Sequence, residues 1–333
     1  MPDLRLGVLD QSPIPSGSTP GEALRCSVEL AQLAERLGYH RYWVAEHHGS
    51  ESFAGCSPEI LVGHIASATT RIRVGSGGVM LMHYSPLKVA ENFKLLACLH
   101  PGRIDLGIGR APGSDAITVA ALAYGSQIGV DYLPAKIGDL KAWRHNERPL
   151  TEALAKVNPA PQISDPPQMW MLGSTADGAQ VAAHFGLPFA FAHFISPHLA
   201  EQSCALYRQH FQPSEQTPEP VVSLGVFVLC ADSSEEAEAL ARCRDLWIVR
   251  VGRGEFAPFP SIAEAQDYPY TASDLARIES RRENQILGTK DQVAEQLHEL
   301  ADRYGASELS VVAITHAFEQ RQRCYELLAE ALL

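Results

Sequence analysis

The fold is decided by the stretch Ile72-Arg73-Val74-Gly75-Ser76-Gly77-Gly78-Val79-Met80-Leu81, by the segment from Ser85-Pro86 that carries Val89, Phe93 and Leu96 on one face, and by Gly102-Arg103-Ile104-Asp105-Leu106-Gly107-Ile108-Gly109. Two apolar runs separated by a helical pattern, with proline opening the helix and glycine closing it, read as a strand-helix-strand unit, and such a unit requires a parallel sheet. Glycine weakens strand pairing, so Gly75, Gly77 and Gly78 mark a bulge or a close approach by a ligand or another backbone. Arg73 shares the alternate face of its strand with Gly75 and Gly77, as Asp105 does with Gly107 and Gly109. An internal Arg73–Asp105 ion pair beneath the strand ends is expected.

Further strands are expected over residues 4–9, 41–46, 169–172, 189–194, 221–230 and 309–314, which with 72–81 and 104–108 makes eight, each followed by helical sequence. The first helix has legible ends: Thr19 with Glu22 as a capping box, Pro20 at the first helical position and Gly38 as the stop. Ser233 with Glu236 and Thr289 with Gln292 read as caps of later helices. The pattern predicts an α/β protein, a (β/α)8 TIM barrel with loop insertions, as one domain over 1–333. Residues 251–287 lack periodicity and read as an insertion over one face, placed to lid a site. Residues 116–167 are read as a barrel connection with a helix through 138–144. A doubly wound sheet is the alternative, opposed by the lack of a G-x-G-x-x-G fingerprint after any strand.

Lys plus Arg number 27 against 39 Asp plus Glu, a net charge of −12 with no basic stripe, so a nucleic-acid partner meets repulsion. Apolar windows stop well short of the roughly 20 residues a membrane-spanning helix needs. The N-terminus shows no cationic stretch before an apolar one, and a cytoplasmic location is expected. The seven cysteines form no C-x-x-C pair and read as free thiols rather than as disulfide or zinc ligands.

In a barrel, functional groups belong at the C-terminal ends of the strands. Four clusters fall there: Glu46-His47-His48, Ser76-Gly77-Gly78, Gly109-Arg110-Ala111-Pro112-Gly113 and Gly173-Ser174-Thr175. Adjacent histidines point to opposite sides and do not readily chelate one metal, so no metal site is expected; a histidine at the mouth suits acid, base or hydrogen-bond work near neutral pH. Gly107, Gly109 and Gly113 have the spacing G-x-G-x-x-x-G with no clear helix behind them, a poor phosphate loop. Arg110 beside them offers the planar donors that phosphate takes. Ser174 and Thr175 precede a helix over about 176–185, whose N-terminus suits phosphate or merely an ordinary cap. No G-x-S-x-G elbow is present.

The runs Ala45-Glu46-His47-His48, Val74 to Leu81 and Pro101 to Gly113, with Leu172-Gly173-Ser174-Thr175, Phe185 to Ala192 and Leu287 to Val293, resemble the bacterial luciferase-like, flavin-dependent monooxygenase family, in its stand-alone members. The resemblance implies a barrel that binds reduced FMN at its C-terminal mouth, with the flavin supplied by a separate reductase. It implies reaction with O2 through a flavin peroxide and oxygenation of a small organic substrate. His47 takes the place of the histidine that assists this chemistry. Gly77-Gly78 takes that of a non-prolyl cis peptide behind the flavin ring. Arg110, Gly173, Ser174 and Thr175 fall at the phosphate end, and Gly109 falls where the light-emitting subunit has a cysteine. A homodimer through barrel helices is implied. A deazaflavin-dependent hydride-transfer enzyme on the same fold, and a non-catalytic flavin-binding protein, stand as alternatives.

Overall fold

The computed structural model describes residues 4–110, 114–124, 132–214, 216–282 and 285–333. In chain order the elements are β1 (Arg5–Asp10), α1 (Pro20–Leu37), β2 (Arg41–Val44), α2 (Pro58–Ala68), β3 (Arg73–Met80), α3 (Pro86–Leu99), β4 (Ile104–Gly109), α4 (Ala116–Ala123) and α5 (Leu133–Arg144). They continue as β5 (Gln168–Gly173), α6 (Ala176–Phe185), β6 (Phe189–Ala192), α7 (Ala200–His210), β7 (Val222–Cys230) and α8 (Ser234–Gly252). The last are α9 (Ile262–Asp267), α10 (Ala272–Arg282), β8 (Ile286–Gly288), α11 (Lys290–Tyr304), β9 (Glu308–Val312) and α12 (Phe318–Leu332). Hydrogen-bonded neighbours run β6-β5-β4-β3-β2-β1-β9-β7, and β6 pairs with β7. Among the described residues, eight parallel strands thus close a (β/α)8 TIM barrel, and they are the eight expected.

Four elements differ from expectation, since α9 and α10 form inside the segment read as aperiodic, and β8 and α4 were not expected either. β8 pairs with the end of β7, Val228 opposite Ile286, and stands outside the barrel. Three residues are too few to show a period of two, and β8 falls at the close of the aperiodic 251–287 segment. α4 follows the glycine-rich 107–113 run, where no helix was clear. Its sequence is apolar all round, so it has no amphipathic signature, and its start depends on Asp115 accepting from the Ile117 and Thr118 N–H groups.

Strand alternation divides the core. Leu6, Val8, Tyr42, Val44, Val74 and Leu106 pack outward on helical residues such as Leu30, Ile65 and Phe93. Leu9, Trp43, Trp170, Ala190, Phe227 and Val312 fill the barrel interior. At the bottom of that interior the expected pair is present, with Arg73 Nη2 2.5 Å from Asp105 Oδ1. It is part of a larger network: Arg41 lies 2.6 Å from both Asp105 and Glu308, and Trp43 Nε1 donates to Asp105 at 3.0 Å.

The helix ends follow the local code. Thr19 and Glu22 form the capping box, and Gly38 closes α1 in the left-handed region at φ 92°. α8 departs from the usual place of a barrel helix. It leaves β7 and crosses the mouth, where Trp247 Nε1 donates to Ser52 Oγ (3.1 Å) in the loop after β2. Its continuation is tied down by Glu51 N–H donating to Phe256 O and by a β-bridge between Phe259 and Pro15. α9 and α10, within 251–287, pack on α8.

Candidate active site

β2, β3, β4 and β5 are successive neighbours in the barrel. Their C-terminal ends carry His47, Gly77-Gly78, Gly109-Arg110 and Gly173-Ser174-Thr175, so the expected residues form one arc of the mouth. The Gly77-Gly78 peptide is cis, and the β3–β4 register shifts between Ser76 and Val79. Packing requires glycine at both positions. A Cβ on Gly77 would lie 2.5 Å from Leu9 Cδ1, and one on Gly78 would lie 2.8 Å from Gly107 O. At Gly109 a Cβ would meet only Val79 O, at 4.0 Å, among the described residues, so open space lies beside this glycine.

Thr175 is the N-cap residue of α6, but its hydroxyl does not bond the helix N–H groups. It accepts instead from Arg110 Nη2 at 3.1 Å, while Arg110 Nη1 reaches Asp177 Oδ2 at 2.9 Å. The free N–H groups of the first turn, the positive end of the helix dipole and the guanidinium converge as an anion cradle. Asp177, the other partner of Arg110, is mostly exposed to solvent. Gly173 lets α6 approach β5, since a Cβ there would lie 3.3 Å from Gly178 Cα. Gly113 and its neighbours Ala111 and Pro112 lie outside the described residues.

His47 is held by its backbone N–H donating to Gly55 O at 2.8 Å, and its ring stacks on Phe53, centroids 4.4 Å apart and planes 29° apart. Phe53 in turn meets the edge of Trp247 at 5.7 Å. Burial, and next the neighbouring His48, push the His47 pKa down to about 4, so the imidazole is neutral at physiological pH. Its Nδ1 is buried and has no hydrogen-bond partner among the described residues. A buried ring nitrogen without a partner is costly unless something outside the protein engages it.

His48 turns the other way, as adjacent positions must. Its Nε2 lies 2.8 Å from Glu46 Oε1, which also accepts from the Tyr84 hydroxyl at 2.5 Å. Glu46 Oε2 accepts from Met80 N–H at 2.9 Å, so this carboxylate ties the end of β2 to β3 just beyond the glycine pair. Burial, and next the hydrogen bond to Glu46, raise the Tyr84 pKa well above its usual value, so Tyr84 stays a donor. Phe53, Tyr84 and Trp247 carried no sequence signal, because each lies on a loop or helix joined to the site only in space. Among the described residues, no three His, Cys, Asp or Glu side chains gather to hold a metal ion. None of their helices is long and apolar enough to cross a membrane.

A parallel barrel with a buried neutral histidine, a cis Gly-Gly peptide and an arginine beside a helix N-terminus at its C-terminal mouth belongs to the (β/α)8 class, whose active sites lie at that mouth. A family model described as luciferase-like monooxygenase matches residues 4–131 and 136–307, and the chain belongs to that family. It is 36% identical to the N-acetyl-S-alkylcysteine monooxygenase of Bacillus subtilis over 332 residues, 99% of this chain and 98% of that one. It is also 36% identical to a luciferase-like monooxygenase of Escherichia coli strain K12, over 97% of this chain and 96% of the other. The crystal structure of apo-MsnO8 superposes with a TM-score of 0.91 at 40% identity, covering 99% of each chain. Two more distant structures share the fold. One is the oxygenating constituent of 3,6-diketocamphane monooxygenase from Pseudomonas putida in complex with FMN, at 17% identity and TM-score 0.70 over 99% and 97% of the two chains. The other is an F420-dependent secondary alcohol dehydrogenase, at 14% and 0.72 over 99% of each chain.

Proposed function

We propose that this chain is a monooxygenase that takes reduced FMN and O2 as co-substrates and oxygenates a small organic molecule, with the reduced flavin made by a separate cytoplasmic reductase. The observation that carries the reading is the convergence of a side-chain-free floor, an anion cradle and an unpartnered neutral imidazole on adjacent strands. When bound, reduced flavin supplies the electrons that activate O2. The residues present fit such a group: Gly109 leaves room for a flat ring beside the bare Gly77-Gly78 peptide, while Arg110, Ser174, Thr175 and the start of α6, reached through Gly173, would hold its phosphate. His47 accepts or donates a proton at its ring nitrogen, and the Phe53–Trp247 wall keeps water from it.

Anaerobic titration with reduced FMN and, separately, reduced deazaflavin, followed by 18O2, tests the reading. Tight reduced-FMN binding and label in the product support it; preference for deazaflavin, or binding without oxygen transfer, overturns it in favour of a hydride-transfer enzyme or a carrier. Thioethers head the substrate panel because the N-acetyl-S-alkylcysteine enzyme is a relative over the full length. Arg110→Ala is expected to weaken reduced-FMN binding by about 10–100-fold, the loss of charge-assisted hydrogen bonds to phosphate. Unchanged affinity by fluorescence titration would remove Arg110 from the site.

The same proposal includes a homodimer. Ile60 on α2 and Leu95 and Leu99 on α3 are 72%, 54% and 64% exposed on two helices in contact. Apolar side chains grouped on one face mark an interface. Leu95→Lys with Leu99→Lys is expected to shift the light-scattering mass from dimer to monomer while the circular dichroism stays that of the folded chain. A dimeric double variant would place the interface elsewhere.

A further inference from the structure

α8 carries Ala237, Leu240, Ala241, Arg244 and Trp247 at the i, i+3, i+4, i+7 spacing of a single helix face. The two alanines and Leu240 belong to the core inside the barrel, and Trp247 reaches Phe53 beside His47. Arg244 is the cation in the middle of this otherwise apolar face. Its Cζ lies 3.8 Å from the ring centroid of Phe227, which β7 points into the barrel. Among the described residues no carboxylate, carbonyl or hydroxyl accepts a hydrogen bond from any of its five N–H donors, and the charges of Asp245 and Arg281 act on it only at longer range. Arg250 pairs with Glu264, Arg253 with Asp274, and Arg282 with Asp245 and Glu238, and Arg242 of the same helix is exposed to solvent, whereas Arg244 lies on the apolar face. Asp245, next in the chain, points off the stripe and is held by Arg282. Burial pushes the Arg244 pKa down to about 10, which leaves it charged at neutral pH.

We infer that Arg244 is a specificity-determining residue of the mouth and that the organic substrate carries a carboxylate, bound by this guanidinium within one helical turn of Trp247. Arg110, proposed above for the flavin phosphate, stands apart from it, just after β4 and three strands round the barrel from β7. An arginine stacked on an aromatic face and offering a planar fork of unused donors suits a carboxylate. The inference rests on the reading of this mouth as the oxygenation site, and deepens it by naming the charge of the substrate.

Straight-chain carboxylates from butyrate to decanoate, with phenylacetate, are titrated against their primary amides into the wild-type protein, Arg244→Met and Arg244→Lys, without flavin, by calorimetry. At least one acid is expected to outbind its amide by about tenfold or more in the wild type. In Arg244→Met, whose stem still covers Phe227, the ratio falls to about one while amide affinity holds. In Arg244→Lys, which preserves the charge but not the fork, an intermediate ratio remains and keeps the test valid if the methionine variant fails to fold. No acid preference in the wild type, or a preference that survives both substitutions, overturns the inference. A wild-type protein that shows no acid preference but binds reduced FMN overturns this inference alone, and failure of the FMN titration with wild-type acid preference intact overturns the cofactor reading alone.

Discussion

Replacing His47 with alanine is expected to lower the oxygenation rate by about 10²–10⁴-fold, the range for a positioned acid or base, with reduced-flavin affinity much less affected. The pH profile gives the sharper test. With its pKa held at about 4, His47 is neutral from pH 5 upward, and the acid limb of the wild-type rate falls near pH 4 instead of near the ordinary histidine value of about 6.5. The same limb is missing from what remains in His47→Ala. A limb at 6.5 would mean that the imidazole is solvated and not enclosed by Phe53 and Gly55. Burial also pushes His40 and His193 to about 4. Unfolding therefore takes up protons between about pH 6.5 and 4, so stability is complete above that window and declines as the pH falls through it.

The largest effect on stability is expected at Asp105. It is fully buried and receives Arg41, Arg73 and the Trp43 indole N–H, so Asp105→Ala leaves guanidinium charge inside the barrel without its partner. Breaking a buried pair from one side costs about 3–5 kcal/mol, a large share of a total that is commonly about 5–15 kcal/mol. For a chain of this size we expect a drop in Tm on the order of 10 °C in calorimetry. Arg73→Met should cost much less, because Arg73 is partly exposed and Arg41 still bonds both Asp105 and Glu308. Equal melting of wild type and Asp105→Ala would show that the network contributes little.

Much of the fold was legible in the sequence because its determinants are local. The alternation of Val74, Ser76 and Leu106 with Gly75, Asp105 and Gly107, the Thr19–Glu22 box and the Gly38 stop are written within a few residues. So were the candidate site positions, since a strand end is a place in the chain before it is a place in space. β8, α4, α9 and α10 were missed for the opposite reason: β8 and α9 are too short and α4 too uniformly apolar to have a period, and α10 is a mostly polar stretch.

The sequence by itself determined the order of strands and helices, the Arg73–Asp105 pair, and the placing of His47, Gly77, Gly78, Gly109, Arg110, Gly173, Ser174 and Thr175 at strand ends. Only the tertiary structure decided what surrounds them. Trp247 reaches Ser52 across 195 positions of chain, Phe53 covers His47, Glu46 bonds Met80 and Tyr84, and α8 brings the unpaired Arg244 over Phe227. Such contacts depend on where barrel closure carries each loop, and no residue spacing encodes them. The same closure removes water from His47 and sets its protonation state.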